Sequence, residues 1–189
     1  MRINFKFFII LTSTFFLFIA SLPSNLLASK TENATTLVNT LLDKVNNIQK
    51  FTDNEEKKQA EFLNLIQTYF DMDVIAKVST GPYWRIATLD EKERYTKLIT
   101  ELIADVTASN LGNITNFEFE FEASIPKGEK MVMVSGNLLI PDQSISSVAI
   151  KWRISFLNEE VPKIIDIEFE NISMLVTQKE ENIAIIRKN

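Results

Sequence analysis

The sequence contains no cysteine and no histidine, and these two absences exclude several classes of function. A chain without cysteine forms no disulfide bond and offers no N-terminal cysteine for lipid attachment. A chain without histidine lacks the commonest general base and the commonest metal ligand, and it cannot build a Ser-His-Asp or Cys-His arrangement. We therefore expect no catalytic residue, no metal site and no cofactor.

The chain also lacks a basic segment, although it contains 20 Lys and Arg residues. Its net charge is −5, and removal of residues 1–28, which carry two positive and no negative charges, changes this value to −7. Binding to nucleic acid requires clustered Lys and Arg that neutralise phosphates. Stable docking on an anionic lipid surface requires a similar cluster. The acidic composition therefore argues against both.

Residues 1–28 have the layout of a secretory signal peptide. Arg2 and Lys6 precede an apolar stretch from Phe7 to Ala20, and small residues follow. The apolar stretch is short for a membrane span, which needs about 20 residues, so cleavage is favoured over an uncleaved anchor. We predict an exported protein, soluble after cleavage of the signal, in which residues 29–189 form a single domain.

The first half of the mature chain shows the spacing of apolar residues that is typical of amphipathic helices. A first helix is expected over about 32–49, and a capping box at Thr52–Glu55 predicts the start of a second. A short helix is expected over about 71–78, and a second capping box at Thr88–Glu91 opens a long helix to about Ser109. The expected buried side of this long helix consists of Tyr95, Leu98, Ile99, Leu102, Ile103 and Val106.

The second half alternates apolar and polar residues with a period of two, which indicates four strands that are each buried on one face. Glu118, Glu120 and Glu122 are expected on the solvated face, and Ser173 is expected to cap a final short helix. Helices followed by antiparallel strands predict an α+β fold. The residues expected on the covered face are Phe117, Phe119, Phe121, Val132, Val134, Leu138, Ile140, Val148, Ile150, Trp152, Ile154, Ile165, Ile167 and Phe169.

Four segments of the chain resemble a known protein family. They are Tyr69–Ala76, Gly81–Arg85, Thr88–Tyr95 and Ile164–Met174, and they occur in the family's order over nearly the whole mature chain. In these segments the chain is similar to MlaC, the periplasmic phospholipid-binding component of the Mla (maintenance of lipid asymmetry) system, also called the toluene-tolerance family. One departure is Asn171, which stands where the family has glycine.

The resemblance implies a curved, mainly antiparallel sheet of about four to five strands that packs against N-terminal helices and encloses an apolar pocket. This pocket would hold the acyl tails of a phospholipid and leave the head group near solvent. The resemblance also implies a monomeric carrier, not an enzyme, whose only bound molecule is its phospholipid cargo. Its partners would be an outer-membrane lipoprotein–porin complex and an inner-membrane ABC transporter complex, between which it would shuttle lipid to maintain outer-membrane lipid asymmetry.

The composition suits a protein that binds acyl tails. The chain contains 14 Phe and 46% hydrophobic residues, but only 4 Gly. Two acyl chains carry about 30 methylenes, and their exposure to water costs on the order of 20 kcal/mol, at ~0.8 kcal/mol for each methylene. A free phospholipid therefore crosses an aqueous compartment too slowly to be useful. A carrier needs only to match the apolar environment of the membrane.

The candidates for lipid contact are apolar residues on the covered face of the sheet and on the helices. An apolar strand face is more often ordinary core than a ligand pocket, and the family resemblance is what favours a pocket here. The candidate residues are Phe70, Ile75, Leu102, Val132, Val134, Leu138, Val148, Ile150, Trp152, Ile165 and Ile167.

Two other functions stay open from the residues alone. The first is an interaction module or chaperone with a filled core. The second is a carboxylate-dependent hydrolase that uses Asp166 and Glu170. These two lie four apart on a strand, so both are expected on its wet face, which disfavours catalysis. The alternative roles of Asp166 and Glu170 are an ion pair with Arg85 or Arg153, or contact with a partner protein. Trp84 is expected to be buried, with Arg85 paired to a carboxylate.

Overall fold

The computed structural model describes residues 24–51, 54–111, 117–140, 147–158 and 161–188. Most of the predicted signal peptide, residues 1–23, lies outside this set, as do the first two residues of the first predicted capping box. The helices are α1 Ser24–Phe51, α2 Glu55–Tyr69, α3 Met72–Thr80, α4 Leu89–Leu111 and α5 Met174–Ile186, with a 3-10 helix at Gly81–Arg85. The strands are β1 Glu118–Pro126, β2 Met131–Leu139, β3 Ser147–Ser155, β4 Lys163–Phe169 and β5 Ile172–Ser173.

Within these ranges, no helix combines the length and the apolar character that a membrane span requires. Side-chain caps determine where several of the helices begin. Asn54 accepts a hydrogen bond from the backbone of the first turn of α2. Thr88 and Glu91 form the predicted capping box of α4: the Thr88 N–H donates to Glu91 Oε2 at 2.7 Å, and the Glu91 N–H donates to Thr88 Oγ1 at 3.3 Å. Ser173 caps α5, as predicted.

The sheet is an antiparallel meander with the strand order β1-β2-β3-β4-β5, which confirms the predicted α+β class. An extra residue interrupts the pairing at Glu122 on β1 and at Ile165 on β4, and such bulges bend a strand. Glu170 and Asn171 join β4 to β5 with φ values of 49° and 66°. Positive φ at both positions is what a two-residue type I′ turn requires, and Asn tolerates it better than most residues do.

The inner face of the sheet packs against α1 and α2 in one apolar cluster, which we call the sheet core. The helix α1 starts earlier than predicted, at Ser24, and the apolar residues of its predicted span that lie in this cluster include Val38, Leu41, Leu42 and Val45. The predicted solvated row on β1, Glu118, Glu120 and Glu122, is exposed. The buried members of the sheet core are Ala34, Val38, Leu41, Leu42, Val45, Ile48, Phe62, Leu65, Phe117, Val132, Val134, Leu138, Ile140, Ile150, Trp152, Ile154, Phe156 and Ile164.

A second apolar cluster, which we call the helical core, lies among the helices. Its buried members are Ile66, Met72, Ile75, Ala76, Ile99, Ala104 and Leu175. The helix α4 packs chiefly against α2 and α3 rather than against the sheet. The predicted buried side of α4 is therefore partly wrong: Ile99 is buried, but Leu98, Leu102 and Val106 are 53%, 49% and 48% exposed.

The predicted wet face of β4 is also wrong at Asp166, which is only 3% exposed. The first turn of α5 folds back over this part of β4 and covers the carboxylate. Asp166 accepts hydrogen bonds from the Ser173 hydroxyl at 2.6 Å and from the Leu175 N–H at 3.0 Å, and it pairs with Arg153 at 3.0 Å. Of the two predicted cationic partners, Arg153 is therefore the correct one.

Candidate functional site

A cavity of about 770 Å³ opens among the helices, and we call it the helical groove. Its volume lies within the range of about 300–1,000 Å³ that is usual for small-molecule sites. Its walls come from α2, the α2–α3 junction, the 3-10 helix and one side of α4. The residues that line it are Leu63, Gln67, Phe70, Asp71, Met72, Asp73, Trp84, Leu89, Lys92, Glu93, Thr96, Lys97, Thr100 and Glu101.

The floor of the groove is positioned by the junction between α2 and α3. Phe70 ends α2 in an extended conformation and forms a parallel β-bridge with Ile164 on β4. The Asp71 N–H donates to the Ile164 carbonyl oxygen at 2.9 Å, and the Asp71 carboxylate caps α3. The Phe70 side chain packs against both the sheet core and the helical core. Phe70 therefore lies where the groove, the sheet core and the helical core meet.

The opposite wall is a single stripe of α4. Leu89, Lys92, Thr96 and Thr100 recur at intervals of three or four residues, which places them on one side of the helix. The Lys92 ammonium lies 5.6 Å from the centre of the Trp84 ring, within the range of a cation–π contact. Lys92 thus orients the half-buried Trp84 ring at the edge of the groove.

The charges of the groove are of both signs. Four carboxylates line it, together with two ammonium groups, so its lining carries a net charge of −2. Lys97 pairs with Glu101 at 3.9 Å, but both side chains are substantially exposed, and such a pair contributes little stability. The groove therefore combines an apolar floor with a mixed, slightly acidic rim.

The structure brings most of the predicted lipid-contacting residues together, but on the sheet rather than in the groove. Eight of them come from β2, β3 and β4, and seven of these eight form or pack against one wall of the sheet core; Ile165 is half-buried at the bulge of β4. Ile75 belongs to the helical core, Leu102 is half exposed, and Phe70 is the candidate that lines the groove. The seven residues of the wall are Val132, Val134, Leu138, Val148, Ile150, Trp152 and Ile167.

Trp152 has an unusual feature at the centre of this wall. Its side chain is 4% exposed, and its Nε1–H has no hydrogen-bond acceptor among the described residues. A buried indole N–H normally has a partner, and an unmade hydrogen bond costs about 1–3 kcal/mol. The sheet core therefore contains a buried donor that an acceptor from a bound molecule could satisfy.

The groove residues that the sequence analysis missed include Trp84 and Lys92. Trp84 was expected to be buried with Arg85 paired to a carboxylate, but Trp84 is half-buried and Arg85 is exposed. In the part of the chain that the structure describes, no ion pair involves Arg85. No local pattern in the sequence indicates the groove, because the residues that line it come from four separate helices.

The two carboxylates that were considered for catalysis have structural partners. Asp166 holds the first turn of α5, and Glu170 accepts a hydrogen bond from the Ala149 N–H at 2.7 Å. Among the residues described, no group of three or more acidic side chains is arranged to hold a metal ion. The pKa of Glu91 is lowered, first by the backbone N–H and then by the hydroxyl of Thr88, because both hydrogen bonds favour the ionised carboxylate.

Comparisons with known proteins agree with this architecture. A search of curated proteins gives no match. Among solved structures, the chain is similar to a phospholipid-binding protein from Ralstonia solanacearum in complex with a phospholipid, with a TM-score of 0.69 and 18% sequence identity over 81% of this chain and 87% of that chain. At this identity the likeness establishes the fold. The model of the MlaC protein family matches residues 35–189, which is most of the sequence. The chain therefore belongs to the MlaC family.

Proposed function

We propose that this protein is a phospholipid carrier that holds acyl tails against the inner face of its sheet. The observation that carries the proposal is the family match over residues 35–189, and it is supported by the shared fold of a protein solved with a phospholipid. The proposed tail-contacting residues are those predicted from the sequence, with Val134, Ile150 and Trp152 at the centre of the wall. Binding there would remove the acyl methylenes from water at a gain of about 0.8 kcal/mol each.

Entry of the tails requires the sheet and the helices to separate. The wall residues pack directly against α1 in the sheet core, where Val134 and Ile150 are at most 2% exposed. Because a closely packed interior leaves few voids, acyl tails that enter would displace these side-chain contacts. A lipid ester carbonyl that reaches Trp152 Nε1 would supply the missing acceptor, which favours lipid over simple hydrocarbon.

The wider role that we propose is transport across the periplasm. After export and cleavage near residue 28, the carrier would move lipid between an outer-membrane lipoprotein–porin complex and an inner-membrane ABC transporter complex. This exchange would keep phospholipid out of the outer leaflet. A carrier of this kind needs no chemistry at its site, and the structural partners of Asp166 and Glu170 agree with that role.

The test uses the two tryptophans of the chain, Trp84 and Trp152, as reporters in different regions. Trp84→Phe leaves Trp152 as the fluorophore of the sheet core, and Trp152→Phe leaves Trp84 in the groove. Each purified protein is mixed with vesicles of a phospholipid that is brominated in its acyl chains, separated from them, and measured by fluorescence. We expect about one phospholipid per chain and strong quenching of Trp152.

Unbrominated vesicles of the same lipid are the control for any effect of binding on fluorescence. Mass spectrometry of an organic extract supplies the stoichiometry independently of either tryptophan. A protein that folds normally but retains no phospholipid from vesicles or from cells would overturn the carrier function. Retained lipid that leaves Trp152 unquenched would instead place the tails outside the sheet core.

A further inference from the structure

We propose that the helical groove binds the head group of a zwitterionic phospholipid, with the phosphate at Lys92 and Lys97 and the amine at the carboxylates of the rim. This inference rests on the proposed function, because it places the polar end of the lipid whose tails contact Trp152. It gives a role to a cavity that most of the proposed tail-contacting residues do not line.

The groove lies at a suitable distance from the sheet core. Its floor residue, Phe70, is bridged to Ile164, which pairs with Ile154 on β3. Trp152 lies two residues beyond Ile154 on β3, and with two strand spacings of ~4.8 Å and a rise of ~3.3 Å per residue it is roughly 12 Å from Phe70. An acyl chain is about 15 Å long, since two of them span a hydrocarbon core of about 30 Å. A lipid with its head group in the groove therefore reaches Trp152 with its tails once Phe70 moves aside.

The polar groups of the groove are arranged for a group that carries both charges. Lys92 and Lys97 lie on the groove side of α4. Because the Lys97–Glu101 ion pair is weak, the Lys97 ammonium group can pair with a phosphate instead. Asp73, at the first turn of α3, and Glu93, on α4, are exposed carboxylates that face the same cavity. A phosphate and an ammonium group of one head group can therefore each meet an opposite charge.

The net charge of the lining selects between lipid classes. A zwitterionic head group brings no net charge, whereas an anionic head group adds a negative charge to a lining that already carries −2. The interaction is modest because the groove is open to water. We expect a preference for the zwitterionic lipid on the order of fivefold at low ionic strength, and a smaller one at physiological salt.

The selectivity is tested with vesicles that contain equal amounts of phosphatidylethanolamine and phosphatidylglycerol with identical acyl chains. The lipids retained by the full mature chain are counted by mass spectrometry. We expect enrichment of phosphatidylethanolamine in the native protein. The double variant Asp73→Asn, Glu93→Gln removes two negative charges from the groove and should bring the ratio close to that of the vesicles. The matched control, Glu118→Gln with Glu120→Gln, makes the same change of net charge on exposed β1 and should keep the native ratio.

The position of the head group is tested with a phospholipid that carries a spin label on its head group. This label should quench the fluorescence of the native protein, in which Trp84 and Trp152 both emit, and should leave the Trp84→Phe variant, in which Trp152 emits alone, unquenched. Equal retention of both lipids by the native protein, an equal shift in the control variant, or quenching of Trp152 by the head-group label would each overturn the inference.

The two proposals fail in different ways. If brominated tails quench Trp152 while the head-group label leaves Trp84 unchanged, the carrier function stands and the groove site is wrong. If no phospholipid is retained at all, the carrier function is wrong and the head-group site falls with it.

Discussion

The sheet core and the helical groove differ in both packing and composition: the buried sheet core is apolar, whereas most of the residues that line the groove are polar or charged. In the sheet core, Val38, Val134, Ile154 and Ile164 are completely buried, and α1 packs against the inner face of the sheet. Around the groove, α2, α3 and α4 leave a cavity of about 770 Å³ open. The comparison teaches that apolar residues alone do not indicate where a cavity lies, because the apolar inner face of the sheet is buried against α1.

Under the two proposals, the difference also separates the binding of acyl tails from the binding of a head group. In the proposed carrier, acyl tails would reach the packed apolar wall only if helices moved, and the free-energy cost of that movement would lower the affinity. An open groove with charges of both signs can receive a polar group without rearrangement of the core. A carrier must release its cargo, so a division between a closed apolar region and an open polar region suits reversible exchange.

The largest expected effect is a difference in stability between variants of two residues that were both predicted to contact lipid, Ile150 and Leu102. Ile150→Ala leaves a cavity in the sheet core, where Ile150 is 2% exposed, and should lower the free energy of unfolding by about 2–5 kcal/mol. Leu102→Ala removes a side chain that is 49% exposed and should cost less than about 1 kcal/mol. Urea unfolding followed by circular dichroism measures both. Equal losses would mean that α4 is packed as tightly as the sheet.

Adding an atom to the sheet core is the converse test. A Cβ at Gly136 would lie 2.6 Å from two ring atoms of Phe119 and would collide with the Glu120 carbonyl oxygen. Gly136→Ala should therefore cost about 1–3 kcal/mol, because β1 must shift to accept the methyl group. The control is Ser135→Ala, on the neighbouring outward position of β2, which should change stability by less than about 0.5 kcal/mol. An unchanged free energy of unfolding in Gly136→Ala would show that β1 shifts at little cost. The sheet core would then be loosely packed at this position.

Local signals in the sequence were sufficient for the elements themselves. The Thr88–Glu91 capping box and Ser173 gave correct helix starts because a cap depends on residues only three positions apart. The alternation on β2 and β3 gave the correct buried face because one side of an antiparallel sheet must be covered. Family resemblance and periodicity together therefore predicted the fold.

Long-range packing explains what was predicted wrongly. The α4 helix carries aliphatic residues on two sides, at Ile99 and at Leu98–Leu102, and only the placement of α2 and α3 decides which side is buried. Asp166 stands at a polar position in the alternation of β4, which predicts exposure. The start of α5 nevertheless covers it, and the Ser173 hydroxyl and the Leu175 N–H donate hydrogen bonds to its carboxylate. The groove was missed for the same reason, since its walls belong to separate elements that meet only in the folded chain.

The smallest expected effect concerns the edge of the groove rather than its walls. Hydrogen bonds from Thr88 lower the pKa of Glu91 in the folded state, so the folded protein binds fewer protons at this site than the unfolded chain does. The stabilisation is therefore fully present above the unfolded value of about 4.3 and is lost as the pH falls through the lower folded value. Glu91→Gln should be slightly less stable than the native protein at pH 7, and this difference should vanish in acid. Amide exchange in the first turn of α4, compared with the exposed control Glu118→Gln, measures the effect where it arises. If the Glu91→Gln variant stayed less stable than the native protein at low pH, the glutamine side chain would be changing the packing of α4 beside the groove rather than the charge of its cap.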